Sequence, residues 1–518
     1  MGLVNQALRV WQDLSVRLAL LFLPMTGVYI AAGFCLAVVL VVLWRLGVFR
    51  KRSMRITGAV LVVSVVGGII AQAALAKARA NHLLRTADLR IASIRKAPVQ
   101  LKVVDAEGNP VAGASVNIEQ LRHSFLFGCN AFRFYFHPEE QNQVYADRFS
   151  ALFNYATLPF YWGMHEPQKG DTRVNDQKHF GLAEWLQTNH IETKGHPLVW
   201  HDVYPAWAPS DPDATRDALH QRIATIIPQF KSEIRRWDVV NEATVSRNFD
   251  NGLGHWVARD GPAKAVELAL RWAHEVDPNA DLVYNDFNIG PQHRRLIQQL
   301  VNAHAPFQII GIQAHMHRRE WPLEEAWDVC EEYSNFGKAI HFSEVTVVSG
   351  KHGWELPQPW PTSPQGEQRQ ADYVERLYTL LFSHPAVQAI TWWDLQDGEW
   401  MGAPGGLLRA DLSSKPAYER LLKLIHETWW TRENLSTDQK GLCSFSGFLG
   451  DYEVTVRNGD RSKTVKQVLV KRSNEWKVTI DEASYGYRQT QSPLSMSAEP
   501  SSLRAVTPPS SASFQPTE

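Results

Sequence analysis

The predicted fold rests on the stretch Arg236-Trp237-Asp238-Val239-Val240-Asn241-Glu242, in which an apolar run ends in an amide and a carboxyl. Apart from Asp238, the residues before Asn241 are typical of a buried β-strand. An amide and a carboxyl at the end of such a strand are costly to bury unless both are used. The stretch Ala339-Ile340-His341-Phe342-Ser343-Glu344 has the same form. Two strands that each end in a glutamate predict a carboxylate pair that meets across a pocket.

Strand-like and helical patterns alternate on both sides of this stretch, over residues 123–432. The apolar, strand-like runs lie at residues 125–129, 153–158, 192–199, 236–241, 282–286, 309–314, 340–344 and 389–394. Helical patterns lie between them at residues 181–187, 214–230, 263–276, 292–303, 323–333, 367–383 and 417–429. Eight such units predict an α/β fold, a (β/α)8 TIM barrel. A doubly wound open sheet is disfavoured because no glycine-rich phosphate turn follows an early strand.

Two β-rich segments flank the predicted barrel, at residues 95–122 and 437–482. Neither holds enough strands to be stable alone, so we predict that they pack together into one small β-sandwich. The barrel would then be inserted into the sandwich. The motif Asp-Ala-Glu-Gly-Asn-Pro-Val-Ala-Gly-Ala at residues 105–114 and the Gly-Asp-Tyr region at 437–456 resemble the two ends of a carboxypeptidase regulatory-like domain. The alternative is two unrelated β additions.

The N-terminal 80 residues contain two uncharged apolar runs, at residues 18–44 and 56–76, each long enough to span a bilayer. Basic residues between the runs predict a cytoplasmic loop and a transmembrane hairpin, although further basic residues after the second run favour the opposite orientation. Alternatively, residues 50–76 form an export signal with a small-residue cleavage site. Both alternatives place the main body outside the cytoplasm. The hairpin further predicts a multi-pass membrane protein with the lipid bilayer as a partner.

Composition excludes some classes of partner and leaves others open. The net charge of −1 gives no general attraction to nucleic acid, so no nucleic-acid partner is predicted. Cys35, Cys129, Cys330 and Cys443 match neither a zinc site nor a disulfide framework, although a single Cys129–Cys443 bridge is conceivable. The 19 tryptophans suit sugar binding, with core packing as the alternative. Residues 485–518 are rich in Ser, Pro and Thr and predict a disordered tail.

Polar and aromatic residues cluster where the predicted barrel strands end, which is where TIM barrels carry their function. These residues include His196, Trp200, Asn241, Glu242, Gln313, His315, Glu344 and Trp393. No phosphate loop or cofactor motif is visible, and no cofactor is predicted. His315 and His317 share a strand face and raise the alternative of a metal pair. Spacing places no third ligand, so no metal site is predicted.

Facing carboxylates on the fourth and seventh strands suit glycoside hydrolysis. One carboxyl protonates the leaving oxygen, and the other attacks the anomeric carbon or activates water. A separation of about 5 Å gives retention and roughly 6.5–9.5 Å gives inversion. We predict Glu242 as the acid, its pKa raised by burial and neighbouring charge, and Glu344 as the nucleophile. Asn241 would hold the sugar 2-hydroxyl. The alternative for each glutamate is a structural carboxylate.

Several short motifs occur in the order found in glycoside hydrolase family ten, the endo-β-1,4-xylanase family, and residues 125–429 resemble that family. The motifs are Glu-Pro-Gln-Lys-Gly from 166, Gly-His-Pro-Leu-Val-Trp-His from 195, Trp-Asp-Val-Val-Asn-Glu from 237, Asn-Asp-Phe-Asn from 285, Gly-Ile-Gln-Ala-His from 311, Thr-Trp-Trp from 391 and Lys-Pro-Ala-Tyr from 415. The resemblance implies retention, with Glu242 as acid/base and Glu344 as nucleophile. It also implies that His315 hydrogen-bonds the nucleophile. The implied subsite is lined by His196, Trp200 and Asn241, with Trp393 and Trp400 as its aromatic wall.

The chain departs from the family pattern at two places. The family has Glu-Asn-x-x-Lys-Trp after the second strand, whereas this chain has Thr157, Leu158, Tyr161 and then Trp162. Where the family has Thr-Glu-Leu-Asp, this chain has Ser-Glu-Val-Thr from residue 343. The polar grip on the non-reducing side is thus lost, which favours a different or less hydroxylated sugar, or a changed stacking surface.

Two functions follow from the motifs and the departures. The first is a retaining hydrolase of β-1,4-linked, xylan-like polysaccharide or oligosaccharide, tethered to the membrane, with Gln313 and Tyr161 as further substrate-binding residues. The alternative is a carbohydrate-binding pseudoenzyme on the membrane surface. The intact pair Glu242 and Glu344 favours the hydrolase.

Overall fold

The computed structural model describes residues 52–134, 139–353, 360–472 and 474–480. The described residues begin with two helices, α1 (Arg52–Arg85) and α2 (Ala87–Arg95). Two long strands follow, β1 (Lys96–Val104) and β2 (Ser115–His123), and β2 leads directly into the barrel.

Eight parallel strands form a closed barrel. They are β3 (Leu126–Asn130), β4 (Tyr155–Pro159), β5 (Glu192–His196), β6 (Arg236–Asn241), β7 (Asp281–Asp286), β8 (Ile309–Met316), β9 (Ala339–Val347) and β10 (Val387–Trp392). Closure is direct, since β10 pairs with β9 on one side and with β3 on the other. The predicted (β/α)8 barrel is confirmed, and every predicted barrel strand overlaps an observed one.

Helices surround this barrel. They are α3 (Glu139–Leu152), α4 (Trp162–His165), α5 (Arg173–Thr188), α6 (Pro212–Gln229), α7 (Gly252–Asp260), α8 (Pro262–Val276), α9 (Pro291–Asn302), α10 (Leu323–Ser334), α11 (Pro364–Phe382) and α12 (Pro416–Lys423). Five of them begin with proline, whose fixed φ suits the first helical position and whose missing N–H would be unpaired there anyway. Asp211 and Ser363 accept hydrogen bonds from the first-turn N–H groups of α6 and α11.

The strand that decided the prediction, β6, is buried along its whole length. Gly195 of β5 lies against the ring of Trp237, where an added Cβ would approach a ring carbon to 2.2 Å. A glycine is therefore needed for β5 and β6 to pair at this point.

The strands outside the barrel form two small sheets that pack around one apolar core. The later strands are β11 (Arg432–Ser436), β12 (Leu442–Phe448), β13 (Gly450–Asn458), β14 (Arg461–Leu469) and β15 (Asn474–Thr479). One sheet has the order β12-β1-β15 and the other β11-β2-β13-β14. Both sheets therefore combine strands from before and after the barrel. The sandwich strands begin at Arg432, five residues earlier than the predicted second segment, because β11 pairs with β2. The resemblance to a carboxypeptidase regulatory-like domain stays a prediction.

The conceivable disulfide bridge between Cys129 and Cys443 does not form. Both cysteines are buried free thiols. Cys129 belongs to the barrel core, whereas Cys443 belongs to the core between the two small sheets. The two thiols therefore lie in separate interiors.

The predicted N-terminal spans are described only in part. Residues 18–44 and the predicted tail at 485–518 lie outside the described residues, whereas residues 56–76 lie within α1. Within the part of the chain that is described, no helix combines the length and apolar character needed to cross a membrane. The end of α1 and all of α2 dock on the barrel. Arg79 pairs with Asp328 of α10, and Arg95 donates to the carbonyls of Phe382, His384 and Val387.

Candidate active site

The carboxyl ends of the barrel strands bring the predicted site residues to one mouth. Glu242 follows β6 and faces Gln313 of β8 and Trp200, which lies beyond β5. Glu344 of β9 contacts His315 of β8 and faces His196 at the end of β5. The mouth therefore holds both predicted carboxylates together with their expected neighbours.

Glu242 is held in a strained and largely buried position. Its φ is 56°, a left-handed conformation that is uncommon for a residue with a side chain. The indole N–H of Trp200 donates to its Oε2 at 3.0 Å, and the Gln313 amide donates to its Oε1 at 2.9 Å. Burial, followed by the charge of Glu344, raises the pKa of Glu242 to about 8. This carboxyl is therefore protonated at neutral pH.

Glu344 is buried as well, but its neighbours shift its pKa in the opposite direction. Asn285 Nδ2 donates to its Oε1 at 2.7 Å, and His315 Nε2 lies 3.0 Å from its Oε2. Burial favours the neutral acid, but the hydrogen bond from His315 and the nearby charges of His196 and Lys194 outweigh it. The pKa of Glu344 therefore lies below its usual value, and this carboxyl is ionised.

A continuous chain of hydrogen bonds joins the two carboxyl groups. Gln313 Nε2 donates to Glu242 and, at 3.0 Å, to Asn241 Oδ1. Asn285 Nδ2 donates to the same Asn241 oxygen at 2.8 Å and also to Glu344. Because both bonds to Asn241 use its oxygen, its amide N–H groups are left to donate to a sugar hydroxyl.

Asn285 is the central residue that the sequence prediction did not assign to the site. It is fully buried at the end of β7, and its Oδ1 accepts a hydrogen bond from Ser343. Gly311 of β8 makes room for it, since a Cβ there would lie 2.3 Å from Asn285 Oδ1. The signal in the sequence was the amide at the end of the fifth barrel strand, the same signal that had identified Asn241.

A buried charge pair stands behind His196. Asp238 Oδ2 lies 2.7 Å from both Lys194 Nζ and His196 Nδ1. Burial would raise the pKa of Asp238, but Lys194 and His196 together lower it. The ionised Asp238 thus fixes the His196 ring, whose Nε2 lies 3.9 Å from Glu344 Oε1. Asp238 and Lys194 were not predicted as site residues.

His315 is held from two sides. Its Nδ1 lies 2.9 Å from Thr346 Oγ1, and its ring stacks on Trp400 with centroids 4.2 Å apart. Thr346 occupies the position where the resemblance expects an aspartate. A hydroxyl rather than a carboxylate therefore orients the imidazole that contacts Glu344.

Aromatic side chains fill the mouth on the side of the first, second, third and eighth barrel strands. Tyr161 contacts Trp200, and Phe132 contacts both Tyr161 and Trp393. Leu158 is fully buried, so nothing at its position replaces the polar side chain that the family pattern expects. Phe132 was not predicted, because it lies on the loop after β3.

No group of three or more His, Cys, Asp or Glu side chains that could hold a metal ion occurs among the described residues. His315 and His317 do not combine into such a site. Instead, His315 lies between Glu344 and Thr346, and both histidines contact the ring of Trp400.

The chain is similar in sequence to several known proteins. The chain is 28% identical over 381 residues to the anti-sigma-I factor RsgI6 of Acetivibrio thermocellus, which covers 71% of the chain and 46% of that protein. It is 27% identical over 422 residues to endo-1,4-beta-xylanase 1 of Arabidopsis thaliana, covering 78% of the chain and 40% of that protein. The chain therefore spans less than half the length of these two relatives.

A shorter relative is endo-1,4-beta-xylanase B of Thermotoga neapolitana, 28% identical over 286 residues that cover 51% of the chain and 78% of that protein. Among solved structures, xylanase 10B of Thermotoga maritima matches with a TM-score of 0.51 and 24% identity, covering 59% of the chain and 96% of that structure. At that identity the likeness shows the fold alone. The family model described as glycosyl hydrolase family 10 matches residues 121–424. That match covers more than half of the chain, which therefore belongs to glycosyl hydrolase family 10.

Proposed function

We propose that the protein is a retaining O-glycosyl hydrolase that cleaves β-1,4-linked, xylan-like polysaccharide or oligosaccharide. One observation carries the proposal: a protonated Glu242 and an ionised Glu344 stand on facing strand ends, joined by one chain of hydrogen bonds. Glycoside hydrolysis requires one carboxylic acid and one carboxylate at the same bond. Membership of glycosyl hydrolase family 10 supports the same reaction.

In the first step, Glu344 attacks the anomeric carbon while Glu242 gives its proton to the leaving oxygen. The bond to the leaving sugar breaks and a covalent glycosyl–enzyme bond forms. In the second step, Glu242, now ionised, takes a proton from water, and the water oxygen displaces Glu344. The Asn241 amide binds the sugar 2-hydroxyl, where a hydrogen bond strengthens in the transition state. Trp200 and Gln313 hold the acid, and His315 holds the nucleophile.

Turnover of 4-nitrophenyl β-xyloside, its β-glucoside analogue and xylo-oligosaccharides tests the proposal. We expect Glu344→Ala to lose at least about 10⁴-fold in kcat, since it removes the nucleophile. Added azide should restore turnover of the aryl glycoside by Glu344→Ala and yield the α-glycosyl azide, because a small anion enters the vacated position. The first sugar released by the wild-type protein should be the β-anomer by NMR.

The pH dependence gives a second test of the same assignment. Because Glu242 must be protonated to act as acid, kcat/KM should fall as pH rises through about 8. Glu242→Gln should lose this basic limb, and its remaining activity should depend on the leaving group. No turnover above that of the two variants, with sugar binding retained, would instead favour a carbohydrate-binding pseudoenzyme.

We also propose that the chain is tethered to a membrane through residues 18–44, with the barrel outside the cytoplasm. The uncharged apolar run at these residues supports the tether, since it is long enough to span a bilayer. Fractionation of the full chain tests it. The protein should stay with membranes after alkaline carbonate washing and leave them in detergent; release by carbonate alone would contradict the tether.

A further inference from the structure

Five side chains form a packed group, here called the aromatic plug: Phe132, Tyr161, His196, Trp200 and Trp393. They come from the ends of β3, β4, β5 and β10 and from the loops that follow. The ring centroid of Phe132 lies 5.6 Å from that of Tyr161 and 5.3 Å from that of Trp393. Tyr161 lies 5.7 Å from His196 and 5.2 Å from Trp200. Phe132, Tyr161, His196 and Trp393 thus each touch at least two others of the group, and Trp200 touches Tyr161.

These separations leave no space for a sugar within the plug. Centroids 5–6 Å apart are typical of aromatic rings in direct contact. A pyranose ring between two of them would make two contacts of about 3.5–4 Å each, which requires a separation of roughly 7–8 Å. The plug is therefore a filled volume and not a slot lined by aromatic faces.

The plug also offers few polar groups. His196 Nδ1 is bonded to Asp238, and its Nε2 faces Glu344. Leu158 and Thr157, at the end of the second barrel strand, are fully buried. A second sugar on this side would lose hydrogen bonds to water and regain few from the protein, which is unfavourable.

The positions of the two carboxylates determine on which side of the reacting sugar the plug lies. The leaving group must lie beside the acid Glu242, toward β6 and β7, where Phe287 is 47% exposed. The sugar that stays attached must lie over Glu344, toward His196 and Trp393. The plug therefore lies on the non-reducing side of the reacting sugar.

We propose that the aromatic plug closes the cleft behind a single sugar, so that the protein acts as an exo-hydrolase that releases monosaccharides from the non-reducing ends of β-linked oligosaccharides. This inference rests on the proposed function, because it assumes the roles given to Glu242 and Glu344. Phe132 and Tyr161 would then determine specificity by excluding the second sugar.

The inference is tested on the wild-type full chain by the direct release of 4-nitrophenol. The quantity compared is the ratio of kcat/KM for 4-nitrophenyl β-xylobioside to kcat/KM for 4-nitrophenyl β-xyloside. Both substrates share the leaving group and differ only by the sugar that the plug would exclude. We expect a ratio of 1 or less. With borohydride-reduced xylohexaose, the first products should be xylose and the reduced pentaose. A ratio above 10, or internal cleavage of the hexaose, would overturn the exo assignment while leaving the hydrolase proposal intact.

Substitutions in the plug test whether its rings are the groups that exclude the second sugar. Tyr161→Ala and Phe132→Ala should each raise the ratio at least tenfold by opening space behind the reacting sugar. Phe287→Ala is the matched control, since it removes an exposed aromatic ring on the leaving-group side and should leave the ratio unchanged. Circular dichroism verifies that the variants fold. The wild-type ratio tests the inference even where a variant does not fold. Turnover of neither substrate would overturn the hydrolase proposal and the exo assignment together.

Discussion

At the scale of single residues, the two glutamates differ more in their neighbours than in their burial. Both are enclosed at the barrel mouth, but Glu242 receives its hydrogen bonds from neutral donors, whereas Glu344 lies near His315, His196 and Lys194. Desolvation raises the pKa of both carboxyls, and only Glu344 has the cationic surroundings that reverse this effect. His201 also lies 3.7 Å from Glu242, but burial lowers the pKa of His201 to about 4, so it brings no positive charge at neutral pH.

Thr346 has a specific role at this scale, since its hydroxyl is placed to orient His315 toward Glu344. We expect Thr346→Val, which has nearly the same shape, to lower kcat/KM about 5- to 10-fold, because one net hydrogen bond is worth roughly 1 kcal/mol. Thr346→Ser keeps the hydroxyl and should retain near wild-type activity. Equal kcat/KM for the valine and serine variants would show that the hydroxyl does not orient the ring.

At the scale of elements, the sequence was sufficient to locate all eight barrel strands because each is a short apolar run between clear breaks. The helices α3, α4 and α7 were not predicted. Helix α3 begins in a run rich in Glu, Gln and Asn, and α4 and α7 are short. Strand β11 was missed because only alternate residues are half-buried, as expected of a polar edge strand that pairs on one side.

The same scale explains which site residues were found. Glu242, Asn241 and Glu344 stand at predicted strand ends, where polarity after an apolar run is visible. Asp238 and Lys194 lie inside strands, and whether such side chains point into the barrel depends on the stagger of neighbouring strands. That stagger is set by pairing across the whole sheet, so local sequence does not reveal it.

Gly311 gives a prediction about how β8 and β7 fit together. A methyl group at this position would meet the Asn285 side chain at 2.3 Å and displace the residue that links Asn241 to Glu344. We expect Gly311→Ala to lower kcat/KM by on the order of 100-fold, the cost typical of a displacement of about 1 Å at a catalytic site.

Gly181→Ala is the control for this substitution. Gly181 lies in α5 with no atom within 4 Å of an added Cβ, so this change should leave activity intact and slightly favour the helix. If Gly311→Ala has full activity, Asn285 does not position the catalytic residues as described.

At the scale of the whole molecule, the barrel and the small sheets are connected by more than the chain. Arg122 of β2 bonds Glu192 at the start of β5 and Asp451 of β13. Arg95 of α2, partly buried against the barrel, ties the segment before β1 to three carbonyls around the end of α11 and the start of β10. These links join the base of the barrel to the sheets, at the end opposite the active site.

Because of these links, we expect both parts to unfold in one transition. Trp476 of β15 is buried in the core between the sheets, and Trp476→Ala should cost roughly 3–5 kcal/mol. The midpoint of the single thermal transition should fall, while kcat/KM at low temperature stays unchanged. Lys477→Ala, the exposed neighbour on the same strand, is the control. Two separate transitions, with only one shifted, would contradict this coupling.

The parallel pairing of β1 with β15 has a mechanical consequence. The first and last of the described strands, β1 and β15, pair in register from Val99 with Asn474 to Val104 with Thr479. Tension between the start of β1 and the end of β15 would pull these strands along their length in opposite directions. Their hydrogen bonds would then bear the load together in shear instead of opening one at a time. If the chain is held at its N-terminal segment and loaded beyond the end of β15, this ladder is the part of the small sheets that resists the pull.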